Sequence, residues 1–180
     1  RVRLVGDVPF YVELDSADVW SHQEIFDLGR NGRPRSVAGV APDYFSAEGQ
    51  LWGSPLYDWE VLGRGGHRWW LERLQRSLDL FEIVRLDHFI GFHRAWAVPA
   101  RSRTARRGVY RPGPGPDLFK RLQASLGRLP FIAEDLGTIV PEVDALREQF
   151  DLPGMHVLQF SFLGGSGDDP QPFSCPTRTV

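Results

Sequence analysis

The chain has 180 residues, of which 42% are hydrophobic, and a formal net charge of −2. This length supports one hydrophobic core and is too short to assume two independent domains. The balanced charge excludes the strong positive field of a general nucleic-acid binder, and no apolar run reaches membrane-spanning length. We therefore expect neither a nucleic-acid nor a membrane partner. A single cysteine, Cys175, cannot form an internal disulfide, which favours a reducing, cytoplasmic compartment.

Strands and helices alternate along the predicted chain. In chain order the predicted elements are strand 2–12, helical turns 16–20 and 23–28, helix 69–80, strand 81–87, helix 116–126, strand 131–134, helix 141–150 and strand 155–162. This rhythm predicts a parallel α/β fold. An open sheet with a nucleotide site is an alternative reading, but the Gly-rich segment 164–170 lacks the Walker lysine and the Rossmann spacing, so we expect no phosphate site there.

Two segments between these elements show no clear periodicity. Residues 37–57 are aromatic and interrupted by Gly and Pro, which predicts a long loop within an inserted region at 34–66. Residues 88–115 are also predicted to be a loop, and the basic run 101–107 within it is interpreted as a solvated face.

Two carboxylates, Asp87 and Glu134, each follow a predicted apolar strand. In parallel barrels the chemistry lies at the C-terminal ends of strands, and retaining glycosidases need one nucleophilic and one proton-donating carboxylate. Arg85 shares a strand face with Asp87 and would keep it ionised. Apolar neighbours would raise the pKa of Glu134 toward that of a general acid. A structural Arg85–Asp87 ion pair and a structural Glu134 remain open alternatives, and Asp135 is expected to cap the following turn.

The aromatic segment suggests what the carboxylates act on. Asp43-Tyr44-Phe45-Ser46 and Gln50-Leu51-Trp52-Gly53-Ser54-Pro55-Leu56-Tyr57 place four aromatic rings beside polar side chains. Aromatic faces stack on the apolar faces of sugar rings. The segment therefore predicts a sugar-binding groove, with simple loop anchoring as the alternative.

Seven longer motifs carry a further signal: Gly6-Asp7-Val8-Pro9, Asp15-Ser16-Ala17-Asp18-Val19-Trp20, Pro42-Asp43-Tyr44-Phe45-Ser46, Gly49-Gln50-Leu51-Trp52-Gly53-Ser54-Pro55-Leu56-Tyr57, Arg85-Leu86-Asp87-His88-Phe89, Ile132-Ala133-Glu134-Asp135-Leu136-Gly137 and Leu152-Pro153-Gly154-Met155. Together they resemble the 4-alpha-glucanotransferases, the amylomaltase or disproportionating-enzyme family of the alpha-amylase superfamily. The resemblance runs from residue 1 to about residue 170.

The resemblance implies part of a (β/α)8 TIM barrel. Residues 1–180 would form a partial catalytic domain covering approximately strands 3 to 6, with 34–66 as an inserted substrate-groove loop. Asp87 resembles the family's nucleophile and Glu134 its general acid/base, and Arg85 resembles the arginine that positions the nucleophile. The residues assigned by this resemblance to substrate binding are Asp7, Tyr44, Phe45, Trp52 and His88.

The implied activity is transfer of α-1,4-glucan segments to the 4-hydroxyl of an acceptor glucan or glucose by retaining double displacement. The implied partners are α-1,4-glucans and maltooligosaccharides, with no metal and no cofactor. Two other hypotheses remain: a glucan-binding relative without turnover, and a metal-dependent barrel enzyme that uses Asp87 and Glu134 as ligands.

Three features depart from the family pattern. Ser54 stands where the family commonly has Asn, the family's third carboxylate in a later His-Asp motif has no counterpart, and residues 171–180 form an atypical end. We therefore expect a fragment of a longer parent that is inactive on its own.

Overall fold

A computed structural model describes residues 2–43, 46–136 and 140–159. In chain order the elements are β1 Val5–Val8, α1 Ala17–Ser21, β2 Ser36–Val40, β3 Gln50–Pro55, α2 Trp59–Arg64, α3 Arg68–Leu78, β4 Ile83–Leu86, β5 Arg94–Pro99, β6 Val109–Pro112, α4 Pro116–Leu126, β7 Phe131–Ala133 and α5 Pro141–Gln149, with short 3₁₀ turns at Gln23–Ile25 and Phe89–Phe92.

Three strands form a parallel sheet with the order β1-β4-β7. Asp7 lies beside Arg85, and Arg85 lies beside Ile132. Helical segments connect the successive strands, α1 to α3 between β1 and β4, and α4 between β4 and β7. The predicted parallel α/β arrangement is confirmed for these elements.

The helices follow from local signals in the sequence. Pro116 begins α4 in the position where a missing N–H costs nothing, and α4 ends at Leu126, as predicted. The side chains of Ser16 and Asp58 cap α1 and α2 by accepting hydrogen bonds from the backbone of Val19 and Val61, at 3.3 and 3.0 Å.

An aromatic core joins the helices to the sheet. Trp70 of α3 and Phe119 of α4 are fully buried. The ring of Phe92 bridges them, with its centroid 5.2 Å from that of Trp70 and 5.3 Å from that of Phe119. Gly91 lets this turn approach closely, because a Cβ there would meet the ring of Phe10 at 2.6 Å. The core thus fixes the chain that directly follows β4.

A second, antiparallel sheet has the order β3-β2-β5-β6. The prediction that residues 37–57 and 88–115 are loops was therefore wrong for residues 37–40, 50–55, 94–99 and 109–112, which form strands. Gly and Pro in these segments indicated turns, but Gly39 allows the strands to approach closely, since a Cβ there would collide with the carbonyl oxygen of Gln50. Pro55, Pro99 and Pro112 each occupy the last position of a strand, where a missing donor is tolerated.

The fourth predicted strand does not form at residues 155–159. The chain before this segment contacts β7 where the N–H of Ala133 donates to the carbonyl of Pro153 at 2.8 Å. Beyond it, the N–H of Met155 donates to the Asp135 carboxylate rather than to a strand. Residues 160–162 of that prediction, the Gly-rich segment and the atypical end at 171–180 lie outside the described residues. No helix in the described ranges is long and apolar enough to cross a membrane.

Candidate active site

The parallel sheet brings three predicted site residues to one edge. Asp7 and Arg85 are neighbours in the register, and Glu134 follows directly after β7. Glu134 is fixed to β4 by its N–H, which donates to the carbonyl of Leu86 at 3.0 Å, and Asp87 is fixed to β1 by its N–H, which donates to Val8 at 3.1 Å. The carboxyl ends of the strands therefore present these side chains together.

Arg85 links two of the carboxylates. Its terminal nitrogens lie 2.8 Å from Asp7 Oδ1 and 2.8 Å from Asp87 Oδ1, and its Nε donates to the sulfur of Met155 at 3.1 Å. Burial alone would lower the pKa of Arg85, but the hydrogen bond and charge of Asp7, together with Asp87, outweigh it and raise the pKa. The guanidinium is thus a fixed cation that orients Asp87.

Glu134 is half-buried beside this pair. Burial raises the pKa of its carboxyl, against the opposing effect of two backbone N–H groups that donate to it. These donors are Leu136, at 3.1 Å from Oε1, and His88, at 2.8 Å from Oε2. The negative charge of Asp87 raises the pKa further, and the charge of Arg85 lowers it. The direction expected from the sequence is confirmed.

His88 reaches Glu134 through an unusual backbone conformation. Its φ of 49° and ψ of 52° lie in the left-handed region, which non-glycine residues rarely adopt. This turn aims the N–H of His88 at Glu134, while the imidazole packs edge-on against Trp52 with ring centroids 4.8 Å apart. Burial lowers the pKa of His88 to about 4, although the charge of Asp87 opposes this. The ring is therefore neutral near pH 7.

A groove of about 430 Å³ runs over these residues. One wall comes from the strand ends and includes Arg85, Asp87, His88 and Glu134, and the other comes from the antiparallel sheet and includes Trp52. Asp7 reaches the groove through its ion pair with Arg85. The structure thus brings together Asp7, Trp52, Arg85, Asp87, His88 and Glu134, while Tyr44 and Phe45 lie outside the described residues.

Several residues of the groove were missed by sequence reasoning. Arg94, Trp96 and Tyr110 line the groove from the antiparallel sheet. The signal was the alternation along Arg94-Ala95-Trp96-Ala97, which is typical of a strand with one buried face. It was overlooked because the whole segment had been interpreted as a loop.

Ser54 and Asp135 do not line the groove but make contacts elsewhere. Ser54 is buried and donates to the carboxylate of Glu13 at 3.2 Å, so its departure from the family pattern bears on the support of β3. Residues 137–139 of the turn that Asp135 is expected to cap lie outside the described residues. The Asp135 carboxylate lies 3.2 Å from Arg147 Nε and accepts a hydrogen bond from the N–H of Met155 at 2.8 Å.

The metal hypothesis gains no support from side-chain clustering. Within residues 2–43, 46–136 and 140–159, no three His, Cys, Asp or Glu side chains are grouped so as to hold a metal ion. The only groove-lining carboxylates are Asp43, Asp87 and Glu134 among these residues, and Glu134 is already engaged by backbone donors.

Fold and site define an α/β protein with a carboxylate pair set in an aromatic groove, an arrangement suited to carbohydrate chemistry. The chain belongs to the 4-alpha-glucanotransferase family, whose sequence profile matches residues 1–180. It is 51% identical over 177 residues to the 4-alpha-glucanotransferase of Thermus thermophilus and 49% identical over 176 residues to that of Synechocystis. These alignments cover 98% and 97% of the chain, and 35% of each relative.

Solved structures agree with this assignment. The amylomaltase from Streptococcus agalactiae in complex with acarbose matches with a TM-score of 0.88 and 39% identity, over 93% of this chain and 34% of that one. The amylomaltase from Corynebacterium glutamicum matches with a TM-score of 0.77 and 26% identity, over 92% of this chain and 22% of that one. The chain therefore has the mixed α/β fold of these proteins and spans about a third of the length of the curated relatives.

Proposed function

We propose that the full-length protein containing this chain is a 4-alpha-glucanotransferase, and that residues 1–180 supply part of its catalytic (β/α)8 barrel. It transfers α-1,4-linked glucan segments from a donor to the 4-hydroxyl of an acceptor glucan or glucose. The observation that carries this proposal is the Asp87–Arg85–Asp7 ion-pair chain beside a half-buried Glu134 whose pKa is raised. Family membership and the acarbose complex of the Streptococcus agalactiae amylomaltase support it.

In the first step, an oxygen of Asp87 forms a bond to the anomeric carbon of the donor. The glycosidic C–O bond breaks, and Glu134 gives its proton to the departing oxygen. Arg85 holds Asp87 in place by its contact at 2.8 Å. Because the raised pKa keeps Glu134 protonated to higher pH, activity should decline as pH rises through that pKa.

In the second step, the acceptor's 4-hydroxyl attacks the same carbon. Its proton passes to Glu134, the bond to Asp87 breaks, and both carboxyl groups return to their starting states. Two attacks on opposite faces retain the configuration of the anomeric carbon. The donors from His88 and Leu136 occupy part of the acceptor capacity of Glu134 and fix its orientation in both steps.

Substrate binding is assigned to Asp7, Tyr44, Phe45, Trp52 and His88. Trp52 is 39% exposed and packs against His88, which gives the groove a fixed aromatic surface next to the reacting groups. Transfer exceeds hydrolysis only where such a surface positions the acceptor and excludes water.

The Asp87→Asn variant of the full-length protein tests the proposal. With maltotriose as substrate, the unmodified protein should release glucose and form longer maltooligosaccharides, and the variant should lose at least about a thousandfold in rate while still binding glucan. Glu72→Gln, which changes an exposed carboxylate on α3, serves as a matched control and should leave the rate unchanged.

Two results would contradict the assignment. Full activity of the Asp87→Asn variant would remove Asp87 from its role as nucleophile. Glucan binding by an unmodified full-length protein that forms no products would instead establish the non-catalytic relative.

A further inference from the structure

The antiparallel sheet presents a second set of planar side chains to the groove. Alternation along β5 directs Ala95 and Ala97 into the core, where both are buried, and leaves Arg94 and Trp96 on the opposite face. Tyr110 of β6 is the cross-strand partner of Trp96, so it lies on the same face. These three residues, Arg94, Trp96 and Tyr110, are called the β5–β6 wall below.

The β5–β6 wall is rigid. The Trp96 indole N–H donates to the carbonyl of Ala105 at 2.9 Å, which fixes the plane of the ring. The centroids of Trp96 and Tyr110 lie 4.8 Å apart in an edge-to-face arrangement. The Arg94 guanidinium lies 4.0 Å from the centroid of Tyr110, a cation–π contact that holds the arginine against the ring. Such rings lose little conformational entropy when a ligand stacks on them.

The β5–β6 wall has aromatic surface that a ligand can reach. Tyr110 is 44% exposed and lines the groove. Arg94 lines the groove beside it. An exposed aromatic ring beside an arginine donor suits a sugar ring, whose C–H faces stack and whose hydroxyls accept hydrogen bonds.

We propose that Arg94, Trp96 and Tyr110 form an additional sugar subsite that binds a glucose unit of the glucan chain away from the bond being broken. The proposal rests on the proposed function, since it uses the same groove and the same substrate class. None of the three residues contacts Asp87 or Glu134 through a hydrogen bond or ion pair among the interactions of the described residues, so the subsite contributes binding rather than chemistry. It would therefore favour longer substrates over short ones.

A comparison of chain lengths tests the subsite in the full-length protein. Tyr110→Ala should raise KM for maltoheptaose about fivefold and leave KM for maltotriose within about twofold, because only the longer chain reaches the wall. Tyr110→Phe should retain most of the unmodified behaviour, since it keeps the ring. Arg94→Lys should also raise KM for maltoheptaose, but by a smaller factor than Tyr110→Ala, because an ammonium cannot stack as a planar guanidinium does.

Trp20→Ala is the matched control, because this tryptophan is 81% exposed on α1 and does not line the groove. It should leave both KM values unchanged. A Tyr110→Ala variant with equal effects on both substrates, or with no effect on either, would overturn the subsite. Calorimetry with the two oligosaccharides in the Asp87→Asn background, where turnover is lost, gives the same ratio as dissociation constants, so a failed subsite is distinguished from a failed assignment of the nucleophile.

Discussion

At the scale of single residues, the backbone conformation of His88 determines a hydrogen bond to the carboxylate of Glu134. Its left-handed backbone points one N–H at Glu134, and its ring packs against Trp52. Residues held in rare backbone conformations are concentrated at functional sites, where the surrounding packing maintains them. A substitution at this position therefore separates into a backbone effect and a ring effect.

The buried imidazole ring of His88 makes the stability of the folded protein depend on pH. Burial lowers the pKa of His88 to about 4, from an ordinary value of 6.5. Between these values the unfolded chain binds a proton that the folded chain does not, so this residue reduces stability as the pH falls from 6.5 toward 4. His88→Asn, which tolerates a left-handed backbone, should remove roughly 2–3 kcal/mol of that acid-induced loss.

Denaturant unfolding of the full-length protein at a series of pH values measures this contribution. The difference in unfolding free energy between the unmodified protein and His88→Asn should change between pH 7 and pH 4. A difference that stays constant across this range would show that His88 titrates as an ordinary exposed histidine.

At the scale of elements, an ion pair between Asp135 and Arg147 links the end of β7 to α5. Asp135 and Arg147 side chains are 14% and 15% exposed, and their closest approach is 3.2 Å. The same carboxylate accepts the N–H of Met155, whose sulfur contacts Arg85. Asp135 thus supports the segment whose Met155 side chain contacts Arg85.

Loss of this carboxylate should weaken the fold. Asp135→Asn leaves the largely buried guanidinium of Arg147 without its closest charged partner, and we expect a loss of about 2 kcal/mol in unfolding free energy. Asp144→Asn is the control, because Asp144 pairs with the same arginine at 3.5 Å but is 48% exposed, and it should cost under about 0.5 kcal/mol. Equal losses from both substitutions would contradict a special role for Asp135.

Sequence reasoning succeeded where one residue pattern determines one element. Helical spacing and Pro116 predicted α4 to the residue, and apolar runs predicted strands at β1, β4 and β7, although β1 forms only at Val5–Val8 within the predicted range 2–12. It failed for the antiparallel sheet, whose short strands carry glycine and proline at positions that only pairing with another strand explains. Gly39 is the example, because its need for a small side chain becomes visible only once Gln50 lies against it.

The residues of the candidate site likewise fall into those that the sequence could predict and those that depend on the folded structure. Asp87, Arg85 and Glu134 could be predicted because each lies on or directly after a recognisable strand. The alternation along residues 94–97 indicated a strand that carries Arg94 and Trp96, but the position of Tyr110 beside Trp96 depends on the cross-strand register of β5 and β6. The hydrogen bond from His88 to Glu134 depends on a backbone dihedral angle that no residue pattern indicated.

At the scale of the whole molecule, β1 and β7 are the edge strands of the parallel sheet in the part of the chain that the structure describes. Among the described residues, β1 and β7 each pair with β4 and with no other strand. Val2, Leu4 and Val5 are 86%, 58% and 54% exposed at the start of β1. Unpaired strand edges with exposed apolar side chains favour association with other chains.

This arrangement predicts the behaviour of residues 1–180 expressed alone. We expect the segment to form no transfer products from maltotriose and to self-associate, whereas the full-length protein should be active under the same conditions. Size-exclusion chromatography and a product assay measure the two properties. An active, monodisperse 180-residue segment would contradict this expectation and would show that the groove needs no further strands.

The two walls of the groove come from different sheets that share one hydrophobic core. The carboxylates belong to the strands of one sheet, and Arg94, Trp96 and Tyr110 belong to a hairpin of the other. Under the proposed function, substitutions in this hairpin would change glucan binding and leave Asp87 and Glu134 in place. Directed evolution limited to residues 94–112 would then offer a route to enzymes with new product-length profiles but an unaltered mechanism.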